Sequence, residues 1–161
     1  MSDKETCRCV TGYIIYLNEA IIDWKSRGQK HVTLSSCESE YVALSETVRV
    51  IMEAKQIIEE LGFECELPIK VHIDNIGAIY IARNNVGRTT TRHVNIRYHY
   101  VRELVEQKII EVVFIKTKDN TSDIMTKNCD KKDYTKHEDT LVKDINETDV
   151  EKAYIHGKVQ N

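Results

Sequence analysis

Between Leu34 and Gly62 the chain reads LSSCESEYVALSETVRVIMEAKQIIEELG, and no other stretch narrows the choice of fold as much. Tyr41, Leu44, Val48, Ile51, Ile58 and Leu61 recur at helical intervals, the spacing that places side chains on one face of an α-helix. Ser36 stands where an N-cap belongs, and Glu38 and Glu40 follow where the positive end of the helix dipole favours acids. Gly62 is the residue type that commonly follows a helix C-terminus. The pattern predicts a long helix from about Cys37 to Leu61 with one apolar stripe. A stripe of that kind needs a second layer to cover it, so the flanking segments decide the fold.

VTGYIIYL, residues 10–17, is dense in β-branched and aromatic residues and predicts a strand. After a short turn, IIDWKS, 21–26, predicts a second, and the two have the grammar of an antiparallel hairpin. Beyond the long helix, IKVHI, 69–73, is a short apolar-rich strand that ends at Asp74 and Asn75. IGAIYIAR then predicts a short helix, and NNVGRTTT, 84–91, a polar loop. RHVNIRYHYVRELVEQK, 92–108, predicts a helix rich in basic and aromatic residues, IIEVVFI, 109–115, a strand, and 121–127 a last short helix. A strand pair followed by strand–helix alternation indicates an α/β fold, a mixed sheet flanked by helices. Residues 1–9 read as a polar leader, 10–128 as one domain, and the charged stretch 129–161 as a loosely held, disordered tail.

The net charge of −3 argues against a wholesale polyanion binder and leaves room for a local basic face. There is no apolar run of membrane length and no signal-peptide pattern. With five scattered cysteines, that predicts an intracellular protein with reduced thiols and no membrane partner.

In sheets of this class, functional groups collect at strand ends and the adjoining helix starts. Glu40, Asp74 and Asp123 stand at such places. Carboxylates converging from separate elements repel one another unless a cation lies between them. Oxygen-rich acidic clusters suit Mg²⁺ or Mn²⁺, and two such ions roughly 3.5–4 Å apart clamp an in-line phosphodiester displacement. Each acid also has a plainer reading: Glu40 as a dipole partner, Asp74 and Asp123 as caps of the helices they precede. Spacing leaves both readings open. For phosphate contacts the candidates are Arg88, Arg92, His93 and Arg97, with Arg83, Arg102, Lys25 and Arg27 beside them; the alternative is ordinary solvated charge. Tyr98 and Tyr100 interleave with these as a stacking face or as core.

GYIIYL, DWKSRGQKHVTLSSCESEYVALSE, VHIDNIGAIYIARN, TRHVNIRYHYVRELVEQKII and NTSDIMTK, in this order over residues 10–128, resemble the C-terminal ribonuclease H domain of copia-type retrotransposon Pol polyproteins. The resemblance implies a ribonuclease H-like fold, and two-metal hydrolysis of the RNA strand of RNA–DNA hybrids with Mg²⁺ or Mn²⁺. The reverse transcriptase domain of the same polyprotein would be a partner. It assigns metal-binding carboxylates to Glu40 in SEY, rather than Glu38, to Asp74 in IDN and to Asp123 in SDI. It also implies one further strand ahead of Val10 that carries a fourth, metal-bridging Asp. The polar leader has no counterpart, so the expectation is a ribonuclease H-like sheet with its first strand missing and an impaired hydrolase. The alternative is a non-catalytic nucleic-acid-binding or interaction module left from a transposon.

Overall fold

The computed structural model of the chain describes residues 9–29, 35–84, 92–126 and 130–141. Its axis is α1, Ser36–Glu60. The cap is Ser35, one residue earlier than the sequence suggests, because Ser35 is the residue with extended backbone (φ −149°, ψ 158°). Its hydroxyl oxygen accepts the Glu38 N–H at 3.1 Å. At the other end Gly62 turns left-handed, φ 85°. The Gly62 N–H reaches the Glu59 carbonyl and the Phe63 N–H reaches that of Ile58, the paired bonds of a Schellman ending. The apolar stripe is buried as its spacing requires: Tyr41, Leu44, Val48 and Ile51 all lie in the core.

Strands β1, Val10–Leu17, and β2, Ala20–Gly28, form an antiparallel hairpin, with Leu17 opposite Ala20. Asn18 and Glu19 both have positive φ, the backbone that matches the twist of a two-residue hairpin. Along β1 burial alternates, with Thr11, Tyr13 and Ile15 inward. Strands β3, Ile69–Ile73, and β4, Ile110–Phe114, pair in parallel. Between them in the chain lie α2, Ile76–Arg83, and α3, Arg92–Glu106. A parallel pair needs such a crossover because its strand ends are far apart. Val71, Ile73, Ile110 and Val112 face the same core as α1.

The fold is mixed α/β, as the sequence predicts, and four strands and three helices fall within a few residues of their predicted bounds. Three features differ. Among the described residues there are two two-stranded sheets, β1–β2 and β3–β4, and no strand joins them into one. The last predicted helix is a 3-10 helix, η2, Thr121–Met125, preceded by a 3-10 turn, η1, Thr117–Asp119. The charged composition after Asn128 predicts a loose tail, yet Lys131–Leu141 forms a helix, α4. The Lys136 ammonium holds it in place, donating to the Lys118 carbonyl and the Asp119 carboxylate, each at 2.8 Å. His137 on the same helix is buried.

Relative strand directions follow from what touches α1. Gln29 donates to both the Thr11 hydroxyl (3.1 Å) and the Ser39 carbonyl (2.9 Å). Lys25, opposite Tyr13, pairs with Glu46. As β1 advances from Thr11 to Tyr13, its neighbours on α1 advance from Ser39 to Glu46, so the two run in the same sense. β3 runs the opposite way. Only residues 61–68 link it to the C-terminal end of α1, and just past its own C-terminus Gly77 sits against the Cys37 side chain. β1 and β3 are therefore antiparallel to each other.

Candidate functional site

A cavity of about 1600 Å³ opens between the two sheets. Its walls are β1 from Gly12 to Leu17 and β3 from Ile69 to Ile73, and α1 forms its floor. Glu40 and Asp74 both line it. They share one end, because the N-terminal part of α1 and the C-terminal end of β3 meet there. Glu38, two residues away and about 200° round the helix, is not among the lining residues.

None of the three candidate acids caps the helix beside it. Ser35 caps α1, and Glu40 is the fifth residue of that helix, beyond the first turn. Asn75 caps α2, its side-chain oxygen accepting the Ala78 N–H at 3.0 Å. Asn120 caps η2, accepting from the Ser122 N–H at 3.3 Å and the Ser122 hydroxyl at 2.7 Å. Sequence reasoning missed these three caps. The signal was present: in each case a Ser or Asn directly precedes the first helical residue.

Asp123 stands apart. Its neighbours Asn120, Thr121 and Ser122 line the cavity and it does not. Its carboxylate accepts from the Asn120 amide at 3.3 Å. Among the described residues no three His, Cys, Asp or Glu side chains form a group able to hold a metal ion. Glu40 and Asp74 have the right donor chemistry for Mg²⁺ or Mn²⁺. Two carboxylates are not the donor set of a metal pair, so the acids as arranged do not hold one.

The basic candidates divide. Arg88 lies outside the described residues; Arg92 and His93 lie in the first turn of α3, with side chains also outside them. Arg97 is half-buried. Arg83 is a structural pin, donating to the Val112 carbonyl at 2.6 Å. Arg102 is buried at 8% exposure, which takes it off any phosphate-binding surface. Tyr98 belongs to the core, its ring 4.3 Å from that of Tyr41, whose hydroxyl donates to the Tyr98 carbonyl at 3.3 Å.

Electrostatics separates the remaining polar groups. Burial, reinforced by a hydrogen bond to Asp23, pushes the Tyr13 phenol up to about 12. Burial also raises the Cys37 thiol, with Glu38 and Glu40 adding to it, so Cys37 stays protonated and is a poor nucleophile. No helix of the described residues is long and apolar enough to cross a membrane.

No protein-family model matches the chain, and no solved structure does. Over 125 residues, 78% of the chain, it is 34% identical to the retrovirus-related Pol polyprotein from transposon TNT 1-94 of Nicotiana tabacum, covering 9% of that protein. It is also 34% identical over 125 residues to the corresponding polyprotein from transposon RE1 of Arabidopsis thaliana, covering 8% of it. A 47-residue stretch is 45% identical to the secreted RxLR effector protein 161 of Plasmopara viticola, which is 29% of this chain and 33% of that protein. The chain spans about a tenth of the length of the curated polyproteins it matches, and over that span its homologues are copia-type retrotransposon Pol polyproteins.

Proposed function

We propose that this chain is the ribonuclease H region of a copia-type Pol polyprotein, acting inside the cell on RNA–DNA hybrids beside a reverse transcriptase domain. By itself it is a weak or inactive hydrolase. One observation carries the reading: Glu40 and Asp74, the acids that the resemblance assigns to metal binding, line the same end of one cavity although they belong to different elements. Homology to Pol polyproteins over most of the chain supports the transposon origin. The incomplete donor set supports the weakness, since Asp123 stands off the cavity. Arg88, Arg92, His93 and Arg97 are the proposed phosphate contacts, and Mg²⁺ or Mn²⁺ the proposed cofactor.

The test is cleavage of a labelled RNA–DNA hybrid with Mg²⁺ and with Mn²⁺. Three proteins are compared: the chain, a version with an Asp-bearing strand grafted ahead of Val10, and that version with Asp74→Asn. The expected result is cleavage by the grafted protein alone. Cleavage by the ungrafted chain would show that another group completes the site. A folded graft that binds hybrid without cutting it would favour the second reading, a non-catalytic nucleic-acid-binding module, which the absence of a three-acid group among the described residues also favours.

A further inference from the structure

The cavity between the sheets has the dimensions and chemistry of a slot for one more strand. Its side walls are consecutive residues, Gly12–Leu17 on one side and Ile69–Ile73 on the other. The face of a strand would contribute every second residue; an unbroken run shows that the strands present their edges. Neither β1 nor β3 has a second strand neighbour among the described residues. An edge in that position offers a row of backbone donors and acceptors, the template on which extended chains add.

The floor suits such an occupant. Ala43, Leu44, Thr47, Ile51, Ala54 and Ile58 line it at helical spacing along α1. Three of the six are small, which leaves depth for larger side chains pointing down from above. The opposite side, at Asn120 and Ser122, is polar. β1 and β3 are antiparallel, so a strand between them makes one parallel and one antiparallel ladder whichever way it runs. Matching the edges takes five or six residues, roughly 17–20 Å of extended chain.

We infer that this slot binds an extended polypeptide segment, supplied from outside the described residues, with apolar β-branched side chains at alternate positions facing α1. The segment converts two two-stranded sheets into one five-stranded sheet in the order β2–β1–segment–β3–β4. No compact ligand satisfies two parallel rows of backbone groups at once. The inference rests on the strand edges and the floor, and not on the acids or on hydrolysis.

The test uses the full chain and a synthetic peptide, KTVTVTVTK, which has alternating valines and no acidic side chain. Amide hydrogen exchange is followed by NMR. At saturating peptide, exchange at Gly12–Leu17 and Ile69–Ile73 is expected to slow at least tenfold, with β2 and the outer edge of β4 little changed. The same peptide N-methylated at its valines, which cannot donate to one edge, is expected to have no effect. Thr47→Arg, which fills the middle of the floor, is expected to abolish the response, and unchanged exchange within α1 serves as its folding control. Unslowed exchange at millimolar peptide would overturn the inference, and so would equal slowing by the N-methylated peptide. Protection of the two edges that rises with protein concentration in the absence of peptide would also overturn it, by assigning the slot to a second copy of the chain. With no carboxylate on the probe and no cleavage measured, failure here leaves the nuclease reading standing, and failure of the graft to cut leaves the slot standing.

Discussion

Gly12→Ala is the substitution that best tests whether Asp123 has a fixed place relative to the sheets. A Cβ at Gly12 would meet Thr126 Cγ2 at less than contact distance, Met125 Cβ at 2.9 Å and the Ser122 carbonyl oxygen at 3.3 Å. The backbone at position 12 is not left-handed, so the alanine itself is unstrained and the whole effect is steric. Two of the obstructing atoms are a Cβ and a backbone oxygen, which do not swing aside as a flexible side-chain tip would. η2 must therefore move off β1, weakening the bond from the Ser26 hydroxyl to the Met125 carbonyl. Overpacking of this kind costs about 1–3 kcal/mol, and the stiffer unfolded chain offsets about 0.4–1 kcal/mol of it. The net loss is about 1–2 kcal/mol, a fall in Tm of roughly 3–8 °C for a domain of this size. Gly28→Ala on the paired strand is the control, since a Cβ there meets nothing within 4 Å. Thermal unfolding followed by circular dichroism separates the two. If both variants melt together with the parent, η2 is not packed on β1 and the placement of Asp123 argued above is wrong.

Ser35→Ala should cost about 1 kcal/mol through loss of the α1 cap while Ser36→Ala costs less than half of that, read by urea unfolding. Ile110→Ala, at a site 1% exposed, should cost about 2–5 kcal/mol in the same assay, as expected for a buried side chain with close-packed neighbours. The Tyr13 phenol is raised from 10.0 to about 12 in the folded protein. Its neutral form is thus favoured by folding, and the stability this contributes is complete below pH 10 and lost as the pH climbs towards 12. Phenolate absorbance should show one tyrosine titrating late in that window, and Tyr13→Phe should flatten the corresponding fall in Tm.

Local grammar accounts for what was legible in the sequence. The bounds of β1, β3 and α2 follow from runs of β-branched residues, the helical spacing of Ile79 and Ala82, and punctuation at Asn18 and Asn75. The choice of Glu40 over Glu38 followed from resemblance, and helix geometry separates them in the same way, since two residues rotate a side chain to the other side of α1. Less legible were features that depend on a neighbour far along the chain. Arg102 looks like one more cation on a basic helix, and only packing shows that it is buried. Gly12 looks like a weak point in a strand, and only the approach of Thr126 explains why no side chain fits there. The charged residues 131–141 read as a solvated tail because nothing in their own sequence announces that Lys136 will meet Asp119.

The two main conclusions meet in one geometric fact. Glu40 sits on α1, Asp74 at the end of β3, and Asp123 on η2, which is seated on β1 through the close contact at Gly12. The distance between Asp123 and Asp74 is thus set by the spacing of the two sheets, and among the described residues no ladder of hydrogen bonds spans that gap. α1 alone braces the two sheets, by side-chain packing, which fixes separation less sharply than a ladder repeating every 4.7–4.9 Å. A strand in the slot would impose two such spacings at once and set all three acids at defined separations. The carboxyl end of the cavity and the empty centre of the sheet are in this sense one device: what fills the second decides what the first can hold.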